Sequence, residues 1–573
     1  MKPNQDYISY LFVFLFAIGL RIFFLIQLDE PVLFYKYPFF AEKLAAGAGI
    51  GERLVDLSPF YLYLLTLLKY LFNISWPFVK FIQAFVGAVN SLLLYAAGSR
   101  AFRKEVGLLA ALMYAAYGNL IVLESTLEPT VFVLFFNILA VIFLLAAKEK
   151  IASAIPGAPG PYLVYAGIFT GLSIITKPSF LLFVPLAVFW LWVHFKERFA
   201  FYKRLRLTLL YGFAALLMVL PVTLRNYIQF QDLILVTADA GKVFYHGNAN
   251  GASALEGAAI PDEGFIDETA GEPDYAHVLF RKTASRKMGK KLLPSQASKF
   301  WVQQALSDIF QNPAAYFIRQ GKKFFYFFND YEMHFIASAY KEYKATLFYP
   351  FLRYGVMVSL GILGMILSLD RIKFRFLFYA VPLVYLVSGM VFLMQSRYRT
   401  PAAPYICLFA AHAVFSVIEM IRHKKIRRIF PAFLLLVLFF HVSHFAYRKE
   451  IISMDNWQEA TKIYYQMEAR PLFDQARFSA AIEAASRCID RVPGFGPAYN
   501  LRGKAYALLH KTPEALEDFN RVIRLHPEMP EGYKNLGFLY LLQGKTDLAG
   551  KYLQKALELA PHDGKVKEVL SRL

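Results

Sequence analysis

The chain has 573 residues, of which 57% are hydrophobic, 17% aromatic and only 18% charged. That excludes a disordered chain, and it is too apolar for an ordinary soluble protein, where about 25% of residues are charged. The net charge of +20 would suggest nucleic acid in a soluble protein. In a chain with many apolar runs, each long enough to cross a ~30 Å hydrocarbon core, it is read instead as Lys and Arg gathered on one side of a membrane, and no nucleic-acid partner is expected.

The apolar runs predict eleven spans, at about 8–27, 76–98, 106–122, 129–147, 160–176, 178–195, 207–222, 348–369, 374–394, 401–420 and 429–446. No small-residue cleavage site follows Ile26 and Gln27, so the first run is expected to be an uncleaved anchor rather than a signal peptide. With the N-terminus in the cytoplasm, the cytoplasmic segments hold nineteen Lys and Arg, and the short external loops after the third, fifth and ninth spans hold three, Lys177, Arg397 and Arg399. This bias fixes the expected orientation. The run from Ser58 to Asn73 is short and carries Lys69. Counting it as a span would invert every later loop, so it is read as a helix lying on the outer face. Three parts are then external: a first loop at 28–58, a long loop at 225–345 whose basic and aromatic second half lies against the membrane, and the C-terminal tail from about 447.

The tail repeats itself. Tyr499, Gly503, Tyr506, Ala515 and Pro527 recur as Tyr533, Gly537, Tyr540, Ala549 and Pro561, each 34 residues on, and Ala481 and Pro493 mark an earlier degenerate copy. That period, with small, aromatic and terminal Pro positions, is the signature of tetratricopeptide helix pairs. Three copies stack into a short solenoid whose concave face would hold a peptide or protein partner. The expected fold is therefore mainly α: a polytopic helical membrane domain at 1–446, a linker at 447–464 and an α-solenoid at 465–573. Cys407 sits in an apolar run and Cys488 in the tail, and no disulfide framework is implied.

Ionisable and amide residues cluster at the external ends of the spans: Asp29, Glu30, Glu42 and Asp56 in the first loop, Glu124 and Glu128 after the third span, Lys177 after the fifth, Arg225, Asn226, His246 and Asn248 after the seventh, and Arg397 and Arg399 after the ninth. Carboxylates and cations converging on one membrane face suit a transfer reaction. A carboxylate can take the proton of an attacking hydroxyl, and Arg and Lys can hold a departing phosphate. Arg21, near the outer end of the first span, is costly in lipid and is expected to face the protein interior. Acidic residues at span ends rather than at mid-membrane argue against a transporter.

These motifs, in order and sidedness, resemble the GT-C superfamily of membrane glycosyltransferases, in the branch of protein O-mannosyltransferases and aminoarabinose transferases (family 39 type), and most of all bacterial members with a tetratricopeptide tail. Arg21, AEKLAAG (41–47), DLSPFYLYL (56–64), LEP (127–129), TKP (176–178), LPVTLRNY, HGNAN and QSRYRTPAAP carry the resemblance. It implies inverting transfer of a sugar from a polyprenyl-phosphate carrier to a protein or glycan acceptor on the extracytoplasmic side of the plasma (inner) membrane, with the repeats periplasmic. It also implies roles. Asp29 or Glu30 would be the base, and Asp56, Glu124 and Glu128 would orient the acceptor or support a divalent metal, which the sequence leaves open. Lys177, Arg225, Arg397 and Arg399 would contact the phosphate, and Tyr37, Asn226, His246 and Asn248 the substrate. One position departs from the family: Leu33 stands four residues before Tyr37, where the family carries an Asp. Two other readings are a polymerase or ligase of the O-antigen type, and a non-catalytic membrane scaffold that presents the repeats for protein assembly.

Overall fold

The computed structural model describes residues 5–26, 36–152, 159–254, 257–258, 276–331, 352–445, 461, 464–561 and 563–573. Among them there is no β-strand. They fall into two compact units, one made of the described residues up to Phe445 and one beginning at Thr461.

The first unit opens with α1 (Gln5–Ile26), α2 (Lys36–Ala45), α3 (Pro59–Phe72) and α4 (Trp76–Ala101). α3 buries Pro59, Tyr61, Leu62 and Leu65 and exposes Leu67, Tyr70 and Phe72, the two-faced pattern of a helix at an apolar boundary. α5 (Lys104–Ala115) and α6 (Gly118–Ser125) meet at a 55° bend, where one straight span was predicted. α7 (Thr130–Ala152), α8 (Gly160–Thr176), α9 (Phe183–Phe195) and α10 (Phe201–Phe230) follow. α10 runs 30 residues through Pro221, so Arg225 and Asn226 lie on its last turns rather than in a loop after it.

Between α10 and the next spans come α11 (Ala240–Asn248), α12 (Ala276–Lys287), α13 (Pro294–Gln311) and α14 (Pro313–Phe327). Tyr245, Phe280 and Trp301 form their core, with edge-on ring contacts at 4.6 to 6.0 Å that add to the burial energy. The unit closes with α15 (Tyr354–Leu367), α16 (Ile372–Val391), the one-turn α17 (Ser396–Arg399), α18 (Ala403–Arg422) and α19 (Ile426–His444).

Among the described residues, seven helices are long and apolar enough to cross a membrane, or eight if the bent pair is one span. Gly160–Thr176, Tyr354–Leu367 and Arg375–Val391 are shorter apolar helices, and these accord with the remaining predicted spans as far as the described residues reach. Large apolar side chains such as Phe12, Leu15, Phe213 and Leu216 are exposed on these helices, which is the surface a bilayer would cover. The chain is a multi-pass membrane protein.

In the second unit, helix pairs stack as a solenoid: α20 (Arg470–Asp474) and α21 (Phe478–Arg491), α22 (Gly496–Leu508) and α23 (Thr512–Leu525), α24 (Pro530–Leu542) and α25 (Thr546–Leu559), capped by α26 (Gly564–Leu570). Ala481, Ala515 and Ala549 are fully buried. A Cβ at Gly503 would stand 2.7 Å from the Phe519 ring, so the repeating small positions are where paired helices touch.

Candidate active site

Two X–Pro steps prepare the site. Proline disfavours helix at the residue before it, so α8 stops at Thr176 and Lys177 takes an extended backbone (φ −149°, ψ 105°) ahead of Pro178. Glu128 stands before Pro129 in the same way, between α6 and α7. Both side chains leave their helices at one end of the bundle, where α2, the start of α3 and α17 also arrive.

There Lys177 Nζ donates to the Arg397 carbonyl at 3.0 Å. The ammonium lies 4.5 Å from the Tyr398 ring centre and the Arg397 guanidinium 5.0 Å from it. Arg397 Nη1 donates to Glu128 Oε1 at 3.0 Å, and its Nε to Gln395 Oε1 at 3.1 Å. Burial, with the Arg397 charge beside it, pushes the Lys177 ammonium down to about 7. The first loop closes over this cluster. The Ser58 hydroxyl donates to the Thr176 carbonyl at 2.8 Å, and the Ser58 N–H donates to the Tyr37 hydroxyl at 3.2 Å. Tyr37, also in the field of Glu128 and Arg397, has its phenol pushed up by burial. Beneath it, Tyr61 donates to Gln83 Oε1, and Gln83 Nε2 donates to the carbonyls of Glu124 and Thr126 at 2.9 and 2.8 Å. Two cations around one aromatic ring, with a carboxylate aiming one of them, are an arrangement chemically able to attract an anion.

The other expected site residues have different duties. Glu124 is held by Arg21 in a two-point pair (Nε to Oε2 2.5 Å, Nη2 to Oε1 3.1 Å), with side chains 2% and 1% exposed. Arg21 thus faces the interior, as its cost in lipid demands. Asp56 is gripped by Arg281 of α12 at 2.7 and 2.9 Å, with Arg53 at 3.6 Å. Beside this pair lies a small cleft lined by Asp239, Lys242, Ser298 and Trp301 among others.

Arg225 donates to Asn226 Oδ1 and to the Tyr63 hydroxyl, while Asn226 Nδ2 donates to the carbonyls of Ile234 and Val236. Asn248 bridges the carbonyls of Phe244 and Val391 at 2.9 and 2.8 Å. The His246 ring packs on Phe280 at 5.1 Å. Arg399 is 3% exposed and donates to the carbonyls of Tyr326, Asn329 and Tyr331. Asn226, Asn248 and Arg399 thus hold main-chain carbonyls, Arg225 holds side chains and His246 packs on a ring, whereas Lys177, Arg397, Tyr398 and Glu128 are brought together. Asp29, Glu30 and Leu33 lie outside the described residues.

Among the described residues no three His, Cys, Asp or Glu side chains are grouped to hold a metal, and Asp56, Glu124 and Glu128 are each engaged by an arginine. These three described carboxylates do not by themselves make a divalent-ion site.

Gln83, Ser58, Tyr398 and Arg281 were not singled out from the sequence. Gln83 had a readable signal, an amide inside an apolar span. Tyr398 sat unweighted inside QSRYR. Arg281 carried none, because its partner is 225 residues away.

Residues 56–224 match the family model described as dolichyl-phosphate-mannose-protein mannosyltransferase, and residues 467–530 and 530–563 match tetratricopeptide repeat models. Among curated proteins the chain is 30% identical over 111 residues to heat shock protein STI1 of Saccharomyces cerevisiae, which is 19% of each chain. It is 31% identical over 98 residues to Hsp70-Hsp90 organizing protein 3 of Arabidopsis thaliana, 17% of each. Among solved structures it is similar to the Archaeoglobus fulgidus oligosaccharyltransferase in its apo form (TM-score 0.45, 13% identity, 81% of this chain and 58% of that one). It is also similar to the same enzyme in complex with an inhibitory peptide and a dolichol-phosphate (TM-score 0.43, 14% identity, 83% and 59%). The chain spans under a fifth of those curated relatives and under three fifths of those structures. Residues 56–224 thus match a mannosyltransferase family model and the tail matches tetratricopeptide repeats, in the order the motifs implied.

Proposed function

We propose that the protein moves a sugar from a polyprenyl-phosphate-linked donor to a protein or glycan acceptor on the extracytoplasmic face of the plasma membrane, with inversion at the anomeric carbon. The convergence of Lys177, Arg397 and Tyr398 on one point, with Glu128 aiming Arg397, carries this reading. The acceptor hydroxyl oxygen attacks the anomeric carbon as the bond from that carbon to the phosphate oxygen breaks. The hydroxyl proton passes to a first-loop carboxylate, Asp29 or Glu30, and polyprenyl phosphate departs with the bonding electrons. Lys177 and Arg397 stabilise the charge that builds on the leaving phosphate. Asp56, through Arg281, fixes the first loop above the site, and Tyr37 lines it. The domain plan that goes with this activity is a transferase domain at 1–446, a linker at 447–464 and repeats at 465–573 on the extracytoplasmic side, where they hold a protein partner.

The test is sugar release from lipid-linked donors by the full chain in proteoliposomes. Wild type consumes one such donor, and Arg397→Ala and Lys177→Met lose use of it while keeping their unfolding temperature. A wild type inert toward every lipid-linked monosaccharide overturns the reading and favours the scaffold. Full turnover in both Asp29→Asn and Glu30→Gln removes the first loop as the source of the base.

A further inference from the structure

α14 has two faces. On the inner one, Lys323 is fully buried and donates to the carbonyls of Met390 and Phe392 at 3.1 and 2.7 Å, at the end of α16, and to Asn248 Oδ1 at 3.2 Å. The same span end presses on Gly247, where a Cβ would stand 1.7 Å from the Phe392 carbonyl oxygen. Further along, the Tyr354 hydroxyl at the start of α15 donates to the Phe327 carbonyl at 3.0 Å, and Arg399 of α17 donates to the Tyr326 carbonyl at 2.5 Å and the Asn329 carbonyl at 2.7 Å. α14 is thus pinned where two apolar helices, α15 and α16, begin and end. On its outer face stand Phe317, Ile318 and Phe324, which are 70%, 63% and 47% exposed. Phe317 and Phe324 are seven residues apart, two helical turns. The inner face is thus bonded to span ends while this apolar stripe stays exposed beside them.

We infer that α14 lies in the plane of the membrane with Phe317, Ile318 and Phe324 inserted into the leaflet on the side of the Lys177–Arg397 cluster, and that Arg399 transmits this seating to α17. The occupant of the face is the bilayer. A stripe of this kind buries itself about 5–10 Å deep at the boundary of headgroups and acyl chains. α17 is a single turn of four residues, so Arg399, tied to α14, and Arg397, in the cluster, cannot move independently. The seating of α14 therefore sets the depth at which the cluster meets a lipid-borne phosphate; this second part rests on the proposed function.

The test places a nitroxide at Phe317→Cys or Phe324→Cys in the full chain in proteoliposomes, and the native Cys407 and Cys488, both buried, leave the label specific. Phe12→Cys on α1 gives the lipid-exposed reference and Leu542→Cys in the tail the water-exposed one. The α14 labels should collide with oxygen as Phe12→Cys does and be shielded from a water-soluble nickel chelate. Chelate access equal to that at Leu542→Cys overturns the inference. So does shielding from both reagents, which would mean that protein covers the stripe. For the link to α17, Phe317→Asp with Phe324→Asp should raise the donor KM about tenfold, within the range of ordinary coupling between sites, with kcat and unfolding temperature unchanged. An unchanged KM breaks that link even if the labels report insertion, and a wild type without activity faults the donor reading while leaving the depth measurement standing.

Discussion

Glu124 and Glu128 are one helical turn apart in sequence, and each is paired with an arginine, yet the two pairs are opposites. Glu124 gives both oxygens to Arg21, and Arg21 spends a further donor on the Ala17 carbonyl at 3.0 Å. Gly87 is the wall behind them: a Cβ there would stand 2.4 Å from Glu124 Oε2. Nothing in that pair is left to turn outward. Glu128 takes a single bond from Arg397, the pair's side chains are 8% and 21% exposed, and Lys177 sits alongside. A closed pair holds two helices together, whereas a half-open pair with a second cation beside it can exchange its carboxylate for a phosphate. The position of the proline decides which is which. Glu124 is inside α6, whereas Glu128 precedes Pro129 and leaves the helix.

That contrast can be broken in order of expected effect. Arg21→Leu or Glu124→Leu leaves its partner charged and buried, which costs about 3–5 kcal/mol. Each should lower the unfolding midpoint of the detergent-solubilised chain sharply, and the double replacement should recover most of the loss, since apolar pairs of similar volume substitute well for buried ion pairs. Single losses no larger than that of an exposed pair, about 1 kcal/mol, would mean that the pair is not locked. Arg397→Ala should do the reverse. Its unfolding midpoint should stay near wild type, and its kcat/KM for lipid-linked donor should fall about a hundredfold, as expected when one partner of a close charge pair is removed.

The third prediction concerns pH. Burial, with the Arg397 charge, pushes the Lys177 ammonium down to about 7. If the charged form holds the phosphate, binding takes up a proton, and donor affinity should fall as pH rises through 7, by up to tenfold per unit. Lys177→Arg, which stays protonated throughout, should flatten that dependence. The same slope in the Arg variant would assign the titration to another group. The smallest effect is expected from Glu128→Gln, which keeps the bond to Arg397 but removes its charge. A rise in donor KM of about tenfold, the weakening typical of losing the charge in a charge-assisted hydrogen bond, should come with little change in stability. No change would leave Glu128 without a role in aiming Arg397.

The tail offers a third version of the motif. Arg502 grips Asp518 with two bonds at 2.9 and 2.8 Å, within one helix pair, and this repeat was legible in full. Its period of 34 residues is local, each unit packs on its neighbour, and Gly503 and Ala515 announced the close contact before any coordinates. The membrane helices were legible for the same reason, since apolar length is a property of a continuous run.

Sequence order and charge also put Arg21 facing inward, and Lys177, Arg397 and Glu128 at helix ends of one neighbourhood, which is where the structure has them. What the linear chain could not do was assign work within that neighbourhood. Asp56 meets Arg281, Glu128 meets Arg397 and Arg21 meets Glu124 across 225, 269 and 103 residues, and no local pattern encodes such a meeting. Arg397 and Arg399 look alike in QSRYR. Only the turn of α17 sends one toward Lys177 and the other into the carbonyls at the end of α14, because side chains two apart on a helix point to different sides. Asn226 and Asn248 read as ligands because polar groups beside apolar spans attract that reading, and only the fold shows the main-chain carbonyls that their amides hold, since a buried backbone must satisfy its carbonyls.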